Sequence, residues 1–574
     1  MFRAGVLLGV MRFSVVLAGS ASFLLVSCGP KHRGPDFPRP EALQKIAEAP
    51  APAPEGAVVA DVDTWKLTGP VRDTVDAERH HGSTPWDALL DAALPANPSA
   101  SAPEAMHCLA RELGAFELGN HGEPSADLLA FMAARCGAAT AAVESQSFPY
   151  DAEAAVPESE LLADVREKLS AELQALAASG SDIGIWFGRS KTRGVITVVA
   201  AKPDVVVEPV SMIPDAEGKV HLRGHVTFAA SSIDGIVNQG RVGFAPCVAE
   251  PLAPPSFDIT CATLAGDDEA WIEIDATPAG HVLAHSVLTL FALPGHRSIN
   301  VYSRPRLGAS KVAPVPGVAQ GFLAGLNELR EAAGLAPVHE VKEESETATR
   351  LAPYYFSSLR SAHPETAETI ALGMMAGWQV DVPVRYGKMT SGWTAQSSDP
   401  RRVLSSYVER PSGRSVLLDP DVSLIGVGVV EVPGKSALGT IVASWAQLHI
   451  ETQDTRVAKV LSHIATLRME KKLPPPRRIN SPADVQFTAD LVEVKHKSAK
   501  RALNELMTRT ANRMREGVRG LRIETGSLDD FTISDDLLTT PNLDLVVCVA
   551  WARAPGEPWG RYVIFLVNAA GVPA

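Results

Sequence analysis

The 574-residue chain contains no Cys-x-x-Cys, Gly-x-Ser-x-Gly, His-Glu-x-x-His or Walker pattern. The first absence disfavours zinc ribbons and thioredoxin-like chemistry. The others remove the common serine-hydrolase, zinc-peptidase and nucleotide signatures. Positive charge is also short: 53 Lys and Arg face 66 Asp and Glu, a net −13. Phosphate backbones need a cationic surface, so nucleic acid is disfavoured as a general partner. Beyond residue 28 there is no second long apolar run, although 46 % of the residues are hydrophobic. That composition suits soluble globular domains, about four of them at roughly 150 residues each.

What is present begins with an export signal. Arg3 (or Arg12, if translation starts at Met11) precedes the short apolar stretch Phe13–Val26, which ends in Ser27-Cys28. This is a basic start, an apolar middle and a small-residue cleavage site. The stretch is too short and too rich in Gly and Ser for a good membrane span, which wants about 20 apolar residues. Leu25-Val26-Ser27-Cys28 resembles the lipobox of bacterial lipoproteins. The resemblance implies that Cys28 is acylated and becomes the first mature residue, anchoring the chain to a membrane. Gly29 in place of Asp leans to the outer membrane, on its periplasmic or surface face. An uncleaved anchor or a free cysteine is the alternative.

Five further cysteines would then sit in an oxidising compartment, which favours pairing. Cys108–Cys136 and Cys247–Cys261 are the expected disulfides, each within one expected domain. The second closes a loop of about 15 residues, worth roughly 3 kcal/mol. Cys548, inside Leu543–Ala550, reads as a buried strand thiol.

Along the chain, 1–27 is the signal and 28–57 a Pro/Ala-rich, semi-extended tether. Residues 58–103 are a weakly patterned lead segment. At 104–203, helices near 104–116, 125–136 and 158–178 precede strands 183–188 and 194–200. Residues 204–304 alternate with period two, as at Val220, Leu222, Val226 and Phe228, and read as an all-β, Ig-like sandwich. At 318–450 helices near 318–334 and 344–360 lead to strands 425–430 and 439–445. Residues 451–574 repeat the plan with helices near 452–471 and 496–516 and strands 543–551 and 561–567. The fold expected is therefore α+β and multidomain, a triplicated α/β unit with the sandwich after its first copy.

The unit at 318–450 resembles the CAP superfamily of cysteine-rich secretory, antigen-5 and pathogenesis-related proteins. Leu326–Arg330 with Gly334–Val338, Glu368–Ala371 with Gly373, Tyr407–Arg414 with Leu417–Pro420, and Ile425–Val429 carry the likeness over about 130 residues. It implies an α–β–α sandwich, and it extends to the other two units only through their closing hairpins and helical content. Many members carry two His and two Glu in a central cleft, proposed to hold a divalent metal. Here Glu368 keeps one carboxylate, Gly413 replaces the His before Arg414, and Thr349 lies where a second His is expected. One carboxylate without imidazoles makes no tight transition-metal site. The expected cleft of Glu368, Tyr407 and Arg414 is degenerate, with no metal and no cofactor.

Other patterns invite chemistry less strongly. His221/His225 and His281/His285 have chelating spacing on a helix, but on strands four residues span about 13 Å, so a solvent-facing row is expected. Gly426-Val-Gly428 lacks the third glycine and the following helix of a dinucleotide loop. The basic stretch Lys495, Lys497, Lys500, Arg501, Arg509, Arg513 and Arg515 suits either an anionic lipid or wall polymer or plain solvent. Asp529-Asp530 and Asp535-Asp536 lack a calcium-loop glycine and read as helix caps and surface charge. No catalytic residues are assigned. The expected role is non-catalytic recognition of envelope polysaccharide, lipid or protein; a hydrolase acting on envelope material and a structural spacer or assembly factor are the alternatives.

Overall fold

The computed structural model describes Ser14–Val16, residues 37–50 and most of 60–569, leaving out short stretches such as 152–156, 308–314, 360–364 and 432–436. Cys28 lies outside the described residues, as do Arg515 and Asp530. The chain is mixed α+β with several small sheets and divides into two compact units, the first essentially 41–375 with 388–444, the second 376–387 with 445–569 and residues 37–40. No helix among the described residues is long and apolar enough to cross a membrane.

The first unit begins with helices Pro85–Ala93, Glu104–Asn120, Ala126–Arg135 and Glu158–Ala178 around a sheet ordered Val143–Asp151, Arg193–Ala201, Asp182–Arg189, with Ser14–Val16 on its outer edge. A parallel bridge, Ser101 to Asp182, extends the far edge. Two four-stranded antiparallel sheets follow. One contains Ala230–Gln239 and Ala270–Pro278 at its centre, the other Lys219–Val226 and Ser256–Ala262. The alternation read from Val220, Leu222 and Val226 matches their burial, while the residues between face outward. Both disulfides form, Cys108–Cys136 between two helices and Cys247–Cys261 between segments of the two sheets.

The first unit continues with helices Val315–Ala332, Lys342–Ser358, Glu365–Ala376, Pro400–Val408 and Pro411–Leu417. Their sheet runs His339–Glu340, Val422–Glu431, Ala437–Gln447, Val384–Ala395, the first pair parallel. In the second unit, helices Gln453–Glu470, Pro482–Glu493, Ala499–Met514 and Asp535–Thr539 accompany a sheet ordered Arg477–Arg478, Asp544–Ala552, Arg561–Ala569, Val518–Thr525, again with a parallel first pair. Leu545, Val547 and Val549 enter one core and Val546, Cys548 and Ala550 another. Covering on both faces is why this strand reads as an unbroken apolar run. Cys548 is buried there, donates to the Val485 carbonyl, and burial pushes its thiol up.

One detail recurs in both units. Arg330, fully buried at the end of its helix, donates Nε to Ala336 O (2.7 Å) and its Nη atoms to Leu417 O, Asp419 O and Val422 O. Arg468, also fully buried, donates Nε to Pro474 O (2.7 Å) and its Nη atoms to Leu537 O and Pro541 O. In each case the fourth residue on takes positive φ, Gly334 at 72° and Lys472 at 60°. The fifth returns its N–H to the arginine carbonyl.

Three expectations need correction. The tether is not uniformly extended: Pro40–Glu48 is a helix whose buried Leu43 packs against Gly373, and Tyr354 Oη donates to Ala47 O. The lead segment 58–103, expected as extended chain draped over the body, holds strands and a helix among its described residues. Thr64–Lys66 pairs with Val301–Ser303, and Thr74–Val75 with Val210–Ser211. Helix Pro85–Ala93 buries Trp86, Leu89, Leu90 and Ala93, a helical spacing behind a Thr84-Pro85 start. The basic helix starts at Ala499, so Lys495 and Lys497 lie in the turn before it, where their N–H groups cap Asp490 O and Leu491 O.

Candidate functional site

The residues that converge most closely lie where helices Pro85–Ala93 and Glu104–Asn120 begin. An antiparallel bridge between Arg79 and Pro103 sets His80 beside the second helix, with His80 N–H bonded to Ala102 O and Glu104 N–H to Glu78 O. That helix presents Glu104 and His107 three residues apart, on one face. The other helix is capped by Thr84, and its Asp87 closes the capping box by accepting from Thr84 N (2.8 Å) and Oγ1 (2.7 Å) at Oδ2. The capping uses Oδ2 and leaves Oδ1 directed at the two histidines.

The His80 and His107 rings stack with centroids 3.7 Å apart. Their Nε2 atoms stand 3.4 and 3.5 Å from Asp87 Oδ1. His80 Nδ1 is hydrogen-bonded to the Glu104 carboxylate, and His107 Nδ1 reaches Pro103 O at 3.4 Å. The carbonyl contact assigns the His107 ring proton to Nδ1 and leaves its Nε2 lone pair facing Asp87. His107 is buried, its Nε2 has no hydrogen-bond partner, and burial together with nearby His80 lowers its pKa to about 4. It is a neutral imidazole at pH 7, the form that ligates a cation.

A second buried cluster joins helix Ala126–Arg135, strand Ala270–Pro278 and the segment after Val408. Arg410 lies over the Trp271 ring at 4.2 Å, with Nη1 3.3 Å from Glu273 and Nε 3.8 Å from Asp127. Ser412 N–H also bonds Glu273, and Tyr302 Oη donates to Glu409 at 3.2 Å. Burial raises Asp127 to about 6 and Glu409 and Asp275 well above the carboxylate range. Burial away from water disfavours the charged form of a carboxylate.

Glu368, Tyr407 and Arg414, the residues of the expected CAP-like cleft, are each bonded to other partners. Tyr407 is buried and donates to Thr440 O at 2.7 Å. Arg414 is buried too, tying Val408 O, Gly240 O and Gly243 O. Both serve packing, since a buried polar group must find its partner inside the protein. A Cβ on Gly413 would stand 1.9 Å from Tyr407 O, so the imidazole that the family carries there has no room. Glu368 stands in the first turn of its helix with His281 Nδ1 3.2 Å away, and both are partly exposed. These residues do not fit the divalent metal that the family resemblance implies.

Elsewhere, His221 pairs with Asp215 and Thr260 on an exposed strand, while His285 stacks on Phe228. Of the basic residues, Arg509 and Arg513 are engaged by Asp484, and Arg509 and Lys495 cover the Phe487 ring. Lys497, Lys500 and Arg501 are exposed. Asp535 pairs with Lys471, and the cap of its helix is Ser534. Sequence reading missed His80, Asp87, Glu104 and His107. The Thr84-Pro85-x-Asp87 helix start and the Glu104-x-x-His107 spacing were the local signals available.

No family model and no curated sequence matches the chain. Among solved structures it is similar to an extracellular protein containing an SCP domain from Bacillus anthracis str. Ames, with 11 % identity, 43 % of this chain and 87 % of that one covered, and a TM-score of 0.18. It is similar to a cysteine-rich secretory protein from Staphylococcus aureus subsp. aureus Mu50 at 13 % identity, covering 46 % and 86 %, TM-score 0.18. It is also similar to Na-ASP-1 at 9 % identity, covering 65 % and 92 %, TM-score 0.17.

Proposed function

We propose that this chain is an exported envelope protein, lipid-anchored through Cys28. In this reading it consists of three divergent CAP-like α–β–α units with an Ig-like sandwich after the first. Its role is to bind envelope polysaccharide, lipid or protein without catalysis. The three-unit reading draws support from one strand order recurring in three sheets, each with a parallel edge pair or bridge. The Arg330 and Arg468 carbonyl clamps support kinship of the second and third units. Binding over catalysis is supported by the lack of room for an imidazole at Gly413 and by the internal hydrogen bonds of Tyr407 and Arg414.

The test is a pull-down of the chain from residue 29 onward against peptidoglycan, anionic vesicles and envelope proteins. Saturable retention by one of these is expected; retention by none refutes the binding role. The His281–Glu368 pair favours a second reading, hydrolysis of envelope material. In that case Glu368→Gln would abolish activity on such material, whereas in the binding reading no activity is there to lose.

A further inference from the structure

We infer that His80, Asp87 and His107 form a binding site for one divalent transition-metal ion of the zinc type. The site is independent of the envelope-binding reading. It also lies on different helices from Glu368, at the starts of Pro85–Ala93 and Glu104–Asn120.

Four observations carry it. The donor atoms of the three side chains all lie within 4.8 Å of one another. Two ligands bonded to zinc at about 2.1 Å and subtending a tetrahedral angle stand about 3.4 Å apart. The two Nε2-to-Oδ1 distances are 3.4 and 3.5 Å, too long for good hydrogen bonds and of the size shown by two ligands of one ion; on binding, the stacked rings turn apart to aim both Nε2 lone pairs at it.

Next, the buried Nε2 of His107 has no hydrogen-bond partner and points at Asp87. A buried polar atom left this way costs about 1–3 kcal/mol, and an ion would satisfy it. Third, both rings are held from behind through Nδ1, His80 by a carboxylate and His107 by a backbone carbonyl. That is the outer-shell arrangement that orients metal-binding histidines.

Finally, the donors close on a residue that has no side chain, so that nothing but backbone covers them there. A Cβ on Gly82 would stand 2.2 Å from His80 Nε2 and 2.1 Å from Asp87 Oδ2. Two imidazoles and one carboxylate select zinc, cobalt, nickel or copper over magnesium or calcium. Three protein ligands leave a fourth position on zinc for water or an incoming ligand.

The experiment uses the full-length chain, freed of metal with a chelator and dialysed. Zinc is titrated against a chromogenic competitor, and cobalt is followed by its visible ligand-field bands. One equivalent per chain and the intense bands of four-coordinate cobalt are expected. His80→Ala and Asp87→Asn should each weaken zinc binding at least about 100-fold, and Glu104→Gln, a positioning change, by about 10- to 100-fold. Gly82→Ala should also weaken it by pushing His80 and Asp87 aside, although all three ligand residues are retained. Absence of stoichiometric binding by the unmodified chain overturns the inference, as does unchanged affinity in His80→Ala. The unmodified chain's cobalt spectrum keeps the test decisive even if His107 or Asp87 variants fail to fold.

Discussion

Replacing Arg410 with methionine would keep most of the side-chain volume and remove the guanidinium between Glu273 and Asp127. At an effective dielectric of about 20, its 3.3 and 3.8 Å contacts correspond to roughly 5 and 4 kcal/mol of attraction before desolvation is subtracted. The net loss on removing one partner of a buried ion pair is about 3–5 kcal/mol, because the remaining charge stays buried. The loss should depend on pH. Asp127 has a folded pKa of about 6 against an ordinary 3.8, raised by burial and lowered in part by Arg410. A raised carboxyl contributes stability that is full below 3.8 and lost as pH climbs through 6.

Without Arg410 that folded pKa climbs further. Each pH unit between 6 and that higher value then adds about 1.4 kcal/mol to the loss. His107 runs the opposite way: its pKa of about 4 lies below the ordinary 6.5, so the stability it brings is present above 6.5 and lost towards 4. That contribution is common to both proteins and cancels when they are compared. Urea unfolding followed by tryptophan fluorescence at pH 5 and pH 8 gives the two differences. Equal losses at both pH values, or a loss below about 1 kcal/mol at pH 8, would refute the reasoning.

Further outcomes follow from other parts of the fold. Arg468→Ala leaves buried carbonyls without donors and should cost about 3 kcal/mol in chemical denaturation, with Arg330→Ala similar. Lys472→Gly should stabilise by up to about 1 kcal/mol, since a lysine at φ 60° bears the left-handed penalty that Gly334 avoids. Replacing Cys108 and Cys136 with Ser opens a 28-residue separation and should cost roughly 3–4 kcal/mol, read as a lower melting temperature. Cys28→Ser should abolish labelling by a fatty-acid analogue in cells; persistent labelling would remove the anchor from the proposal.

Much of the architecture was legible where one physical pattern dominates. Helix periodicity located Glu158–Ala178 and Gln453–Glu470, and unbroken apolar runs located Arg193–Ala201 and Asp544–Ala552. Strands Val143–Asp151 and Val518–Thr525 escaped notice. The second alternates between exposed and half-buried positions, so hydrophobicity marks it weakly. Helix Pro85–Ala93 was readable from its cap and its buried spacing, but the surrounding segment has little pattern. The basic stretch at 495–513 was seen as charge; that Asp484 engages two of its arginines is a contact across 25 and 29 residues.

By itself, the sequence determined the features that act locally or along the chain: helix and strand periods, the even count of paired cysteines, and the signal-like start. Tertiary structure alone decided which polar groups meet. His80, Asp87 and His107 share no turn of chain; a two-residue bridge between Arg79 and Pro103 brings them together. Tyr407 and Arg414 carry the family likeness in sequence, yet the fold turns both into core hydrogen bonds. The physical reason is that burial sets the demands on a polar side chain, and burial depends on residues far away in the chain.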